Sequence, residues 1–182
     1  MIPNSLAYIA NRHLQLTVTM SNYKFDSIDR HILEILQENA KITNAQLSKE
    51  IGLSPAPTLE RVKKLENADV ISSYHAKLNP QEIGLGVSTF ITVTLVGHKA
   101  EYIERFVKRI NEIPEVVECH HITGQGDFML KVVAQDISSY QKLILEVISE
   151  IPEIDDIQSI IILSTFKDSK VMPIPAAPKA NA

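Results

Sequence analysis

The sequence predicts a mixed α/β chain of the α+β kind, three helices followed by a βαββαβ unit, and three observations carry that expectation. Apolar residues recur at helical spacing three times between Asp26 and Glu66, each time after a capping residue. From Ser88 onward, β-branched apolar runs alternate with helical patterns that a proline stops. Between the two regions, Asn79-Pro80 and the stretch QEIGLG mark a break. The expected organisation is an N-terminal extension over 1–24, a helical domain over 25–79, a linker over 80–87, a second domain over 88–168 and a tail over 169–182.

Residues 1–24 show no strong period and are expected to be poorly ordered. Pro3, Arg12 and His13 interrupt them too often for a signal peptide, and Met20 is a second candidate start. Asp26 caps a first helix whose apolar positions are Ile28, Ile32, Leu33, Ile35 and Leu36, running to about Asn39. Thr43 and Gln46 form a capping box for a second helix with Ala45, Leu47 and Ile51 inward. Gly52 suits the left-handed position that ends it, and Leu53 is expected to plug into the core. Ser54 caps a third helix with Pro55 at its first position and Pro57 still in the first turn. There Leu59, Val62 and Leu65 form the expected apolar stripe, with Glu60, Arg61 and Lys64 opposite and Ala56 and Lys63 on the flank. A helix, a glycine turn and a capped helix with a basic outer face make a helix-turn-helix pattern. Asn67 or Asp69 closes the third helix, and Val70, Ile71, Tyr74, Ala76 and Leu78 point to one or two short strands, a small wing.

The second domain reads in order as a strand over 88–96, a helix over 99–113 stopped by Pro114, and a strand over 116–122. A GQGD turn, a strand over 128–134, a helix capped by Asp136 or Ser138 and ended by Pro152, and a last strand over 157–166 complete it. That order predicts an antiparallel ferredoxin-like sheet with both helices on one face. Both alternating sets in these strands are substantially apolar, for example Ile91, Val93 and Leu95 against Phe90 and Val96. A second copy of the sheet is the expected cover for the second face, hence a homodimer.

Composition bounds the function. The chain has 182 residues, 45% of them hydrophobic and 22% charged, with one cysteine, Cys119. No intrachain disulfide is possible, and no apolar run approaches a membrane span, so a soluble cytoplasmic protein is expected. The net charge of −4 divides unevenly. Between Asp26 and Asn79, seven Lys/Arg meet eight Asp/Glu; between Pro80 and Asp168, seven meet fourteen. The second domain is therefore a poor partner for phosphates, and the first is basic only around Arg61, Lys63 and Lys64.

With these elements in place, FDSIDRHILEILQENAKITNAQLSKEIGLSPAPTLERVKKLE, a short wing, LNP and a βαββαβ domain carrying ECHHITGQGDFMLKV resemble the Lrp/AsnC family of leucine-responsive, or feast/famine, transcription regulators. The resemblance covers about Phe25 to Lys167. Its most specific pieces are D-x-x-D-x-x-I-L from Asp26, LSP-x-P-x-L-x-R-V-x-x-L-E from Leu53 and the strand–G-x-x-D–strand turn from Gly124. It implies an N-terminal winged helix-turn-helix that reads double-stranded DNA and a C-terminal domain that senses amino acids. It further implies dimers assembling into octamers, as tetramers of dimers, or into related rings, and sometimes into tetramers. This chain departs from the family pattern at Lys63 and Lys64, where arginines are frequent, and at Asp69, where glycine is common. Lysine neutralises a phosphate but loses bidentate guanine recognition.

Two sites follow. For DNA, Ser54 and the N–H groups around it suit a phosphate, Ala56, Pro57 and Glu60 sit where base edges would lie, and Arg61, Lys63 and Lys64 hold backbone or bases. The alternative is a solvated face in which Glu60 and Glu66 pair with Lys64 and Lys63. For the effector, the turn Thr123, Gly124, Gln125, Gly126 and Asp127 offers successive N–H groups to a carboxylate and Asp127 to an ammonium; the resemblance implies a pocket between dimers, to which a neighbouring copy is expected to add residues near Ser164 and Thr165 of its last strand. Against this stands a plain hairpin that needs its glycines. Cys119, His120 and His121 cannot share one metal ion on a strand, because His120 points to the other face. Glu112, Glu115, Glu118, Asp155 and Asp156 read as solvated surface. No phosphate loop, catalytic order or zinc pattern occurs, so neither an enzyme nor a cofactor is expected. A sensing and assembly module without a DNA role is the alternative function.

Overall fold

The computed structural model describes residues 23–175, so the expectations for residues 1–22 lie outside the described residues. Two compact units are present: Leu78–Phe166, and the stretches up to Lys77 and from Lys167.

The helical unit contains α1 (Ser27–Glu38), α2 (Asn44–Glu50) and α3 (Pro55–Asn67). Each start follows from local chemistry. Asp26 and Asp29 satisfy each other's backbone N–H groups at the head of α1, and Thr43 and Gln46 do the same at α2. The α2–α3 turn closes with Gly52 at φ 71°, and the Leu53 N–H donates to Ser48 O at 2.9 Å. α3 ends on Asp69 at φ 55°, which accepts the left-handed strain a glycine would avoid. Ile32, Leu33, Leu47 and Leu65 form the buried centre.

Three expectations change here. The inward line of α3 runs through Thr58 and Leu65, both buried, and half-buried Val62, while Leu59 is 44% exposed. Thr58 tolerates full burial because its hydroxyl donates to Ser54 O at 2.9 Å, inside the helix. Leu53 is only half-buried. No strand forms between Val70 and Leu78 among the described residues. The Val70 and Ile71 amides both donate to Leu65 O and pack on the helical core, but the extended segment beyond them has no neighbouring strand to form a ladder with.

The other unit is β1 (Val87–Leu95), α4 (Ala100–Ile110), β2 (Val116–His121), β3 (Phe128–Ala134), α5 (Ile137–Leu143, continued by a π-helical turn Ile144–Ile148) and β4 (Ile154–Ile161). The sheet order is β2-β3-β1-β4, antiparallel throughout, the ferredoxin-like arrangement. Ile91, Val93, Leu95, Leu130 and Val132 pack with Phe106, Ile110, Leu143 and Ile148, so both helices cover one face. β4 starts and ends earlier than expected: it pairs with β1 from Ile154, opposite Leu95, to Ile161, opposite Thr89, and the Ile162 N–H to Ser88 O adds a last bond. On the second face Phe90, Met129 and Val133 are half-buried and Ile160 is 56% exposed. That face is less uniformly apolar than expected. Lys131 crosses it to Glu118 at 3.1 Å, and His120 meets Glu118 at 3.2 Å, so Glu118 is paired rather than simply solvated.

Candidate functional site

The candidate DNA-contact residues lie on α3 and at its N-cap. Ser54 caps it through backbone geometry alone, with no side-chain cap bond, which leaves its hydroxyl available. Pro55 and Pro57 carry no N–H, and the Thr58 amide is spent on Ser54 O. Of the first turn, then, the Ala56 amide remains to face an anion. The free N–H groups expected there reduce to that one, beside the Ser54 hydroxyl. Asn44 Nδ2 donates to Pro55 O at 2.8 Å and pins this end of α3 to α2.

Along the helix, the three basic residues separate into two kinds. Arg61 Nη1 lies 2.7 Å from both Asp26 Oδ2 and Asp29 Oδ1, so its guanidinium is tied to the first turn of α1. Asp29 is 7% exposed and Arg61 29%. The Asp29 amide, and then Arg61, hold the Asp26 carboxyl below its ordinary range, while Asp26 and Asp29 push the Arg61 guanidinium up. A phosphate would have to compete with two carboxylates for Arg61. Lys63 and Lys64 are exposed and take part in no ion pair among the described residues. The Glu60–Lys64 and Glu66–Lys63 pairs of the alternative reading do not form. Glu66 instead accepts from the Tyr74 hydroxyl of the wing segment at 2.9 Å, and burial, with Glu66 beside it, pushes that hydroxyl up to about 12.

The second site lies in the sheet unit. The turn after β2 is fastened at Asp127: its N–H donates to Val93 O at 2.8 Å, and its carbonyl accepts from the Ile122 N–H at 2.9 Å. Its carboxylate accepts from the Leu95 N–H at 2.8 Å and meets His98 Nε2 at 2.9 Å. Both oxygens are thus occupied by the chain itself, and an ammonium would share Oδ1 with His98 or displace it. Sequence reasoning misses His98, since nothing in its local spacing ties it to a residue 29 positions on. The N–H groups of Thr123, Gly124, Gln125 and Gly126 donate no hydrogen bond among the described residues. Gly124 (φ 113°) and Gly126 (φ 83°) both take the left-handed backbone. A Cβ at Gly126 would collide with the Thr92 methyl and crowd Val93 O, so this glycine is also required by close packing on β1. Ser164 and Thr165 are exposed and lie past the end of β4 rather than on it.

Cys119 packs toward the core and burial pushes its thiol up to about 11. His121 stacks on Phe128, with centroids 4.9 Å apart, while His120 takes the opposite face. Among the described residues no cluster of His, Cys, Asp or Glu could hold a metal ion, and no helix is long and apolar enough to cross a membrane.

Residues 25–72 match a winged helix-turn-helix DNA-binding family model, and residues 88–172 match the Lrp/AsnC ligand binding domain. The leucine-responsive regulatory protein of Escherichia coli is 36% identical over 149 residues, spanning 82% of this chain and 91% of that protein. The chain belongs to the Lrp/AsnC family. Similar solved structures agree. A transcriptional regulator from Neisseria meningitidis, in complex with L-Met, is 33% identical with a TM-score of 0.79, over 82% of this chain and 97% of that one. AsnC from Escherichia coli is 29% identical with a TM-score of 0.76, over 83% and 100%. Lrp/AsnC proteins are transcriptional regulators, not enzymes, and this chain is a DNA-binding regulator modulated through its ligand-binding domain.

Proposed function

We propose that this regulator meets double-stranded DNA through Ser54, Ala56, Pro57, Glu60, Lys63 and Lys64, with Arg61 holding α3 in place, and that a free amino acid is its effector. Support for the first part comes from one observation above the rest: Lys63 and Lys64 stand exposed and form no ion pair among the described residues, while Glu66 accepts from Tyr74. Two such ammonium groups on a helix whose first turn offers the Ser54 hydroxyl and the Ala56 amide suit successive phosphates. The effector's carboxylate fits the unbonded amides of Thr123–Gly126, and its ammonium fits Asp127 beside His98, with Ser164 and Thr165 as further candidates. The Neisseria meningitidis relative, whose structure holds L-Met, supports an amino acid as the class.

Assembly belongs to the same reading. The second sheet face, with Phe90, Met129, Val133 and Ile160, is the surface on which two copies pair, and four such dimers form an octamer. The amino acid favours one assembly over another, which changes how paired reading helices meet successive turns of DNA in the cytoplasm. Footprinting on the DNA upstream of the protein's own gene tests the reading. Protected patches spaced by about one helical turn are expected; uniform or absent protection would refute it.

A further inference from the structure

The C-terminal segment departs from the division expected from sequence, which left it as a tail. Residues 167–175 pack with the helical unit. Met172 and the Gln37 side chain of α1 exchange two hydrogen bonds: the Met172 N–H donates to Gln37 Oε1 at 2.6 Å, and Gln37 Nε2 donates to Met172 O at 3.2 Å. This is the reciprocal pattern by which a strand recognises a neighbour, supplied here by one side chain. Two residues on, Ile174 packs against the helical core, and the Arg30 guanidinium donates to Pro175 O. At the other end Lys77 Nζ reaches the Asp168 carboxylate at 2.8 Å and its carbonyl at 2.9 Å. The segment forms one wall of a cavity of about 460 Å³; Phe25, Leu33 and Leu36 of the α1 region and Val70 and Ile71 of the wing line the rest.

We propose that the groove between α1 and the wing segment is a docking surface for an extended peptide, and that its occupant is this chain's own C-terminal segment, Asp168–Pro175. The composition of the segment fits that role. Pro173 and Pro175 favour extended backbone at Met172 and Ile174, the residues that hold the groove, and lower the entropy lost on docking. The backbone of Met172 gives register and Ile174 gives apolar anchorage, the division of labour seen when a peptide adds to an open edge. Docking also has a topological consequence. The chain leaves the helical unit at Lys77 and returns to it at Asp168, directly after β4 and the short Ile162–Phe166 connection. With the segment seated, the reading head is attached to the effector domain by two connections clasped together by Lys77 and Asp168. With it released, a single linker remains.

The test uses the full chain and involves neither DNA nor amino acid, so its outcome is independent of the function proposed above. In hydrogen exchange, the Met172 amide of the intact protein is expected to be slowed about tenfold or more relative to a free peptide of residues 167–182. Ile174→Asp and Gln37→Leu should each return it to the peptide's rate, and Ile174→Asp should also speed exchange within α1. A Met172 amide that exchanges freely in the wild type would overturn the proposal. Ala40→Cys/Met172→Cys in a Cys119→Ser background keeps Gln37 and places both thiols in the groove lining, where a short bis-maleimide identifies the occupant. Closure within one chain, read by intact mass as one reagent bridging a monomer, is expected. Covalent dimers would assign the groove to a second copy's tail and overturn the own-chain occupant, and no cross-link would overturn docking altogether.

Discussion

Arg61 and Lys64 lie one turn apart on the same helix, yet their surroundings give them different work. Lys64 is exposed and forms no ion pair among the described residues, so Lys64→Ala should weaken operator binding and lower the slope of log K against log salt by roughly 0.9, the value of one neutralised phosphate. Arg61→Ala leaves the 7%-exposed Asp29 without its cation and should destabilise the helical unit by about 1–3 kcal/mol, with the salt slope of the remaining folded protein unchanged. Thermal denaturation beside salt titration separates the two effects. Acid acts on the same cluster. The folded-state pKa of Asp26 lies below its unfolded value, so the stability it adds is present above the unfolded value and is lost as pH falls through the folded one. Thermal melts of the helical unit should therefore fall below about pH 4, and Asp26→Asn should flatten that fall. At this scale the caps at Asp26 and Thr43 were legible, because each is satisfied within three residues. The Arg61 clamp was not, because its partners lie 32 and 35 residues away.

Among elements, the turn between β2 and β3 makes the sharpest distinction between two similar residues. Gly124 needs only its positive φ, and an added Cβ there meets nothing within 4 Å. Gly126 needs both its φ and the empty space against Thr92 and Val93. Gly124→Ala should cost about 1 kcal/mol of stability, whereas Gly126→Ala should displace the turn and abolish effector binding by calorimetry. Equal losses from the two substitutions would contradict this account. The type and order of the helices and strands were readable from apolar period and capping chemistry. Phase and ends were less so. A one-residue turn of α3 decides whether Thr58 or Leu59 is buried, and the hydroxyl bond that makes Thr58 acceptable is invisible in hydrophobicity. β4 ends at Ile161, opposite Thr89 near the start of β1, so pairing rather than β4's own apolar run to Phe166 sets its end.

For the molecule as a whole, the two-domain division and the ferredoxin-like sheet could be inferred from sequence, since each domain's pattern is local to its own stretch. The docking of residues 167–175 on the helical unit could not, because it rests on Gln37 and Arg30, which are more than 130 residues away along the chain. The exposed Ile160 beside half-buried Phe90 and Met129 leads to a specific expectation for assembly. Sedimentation should find dimers or larger assemblies at micromolar concentration, and Ile160→Glu should shift them toward monomer; a wild-type monomer would contradict the sheet-to-sheet pairing. The regulator itself is tested most directly by titrating it against DNA from upstream of its own gene and against scrambled DNA, with and without each common amino acid, at fixed salt. The expected result is tighter binding to the natural sequence and a change in its affinity of about fivefold or more with at least one amino acid. Equal affinity for both DNAs, unmoved by every amino acid, would contradict the account.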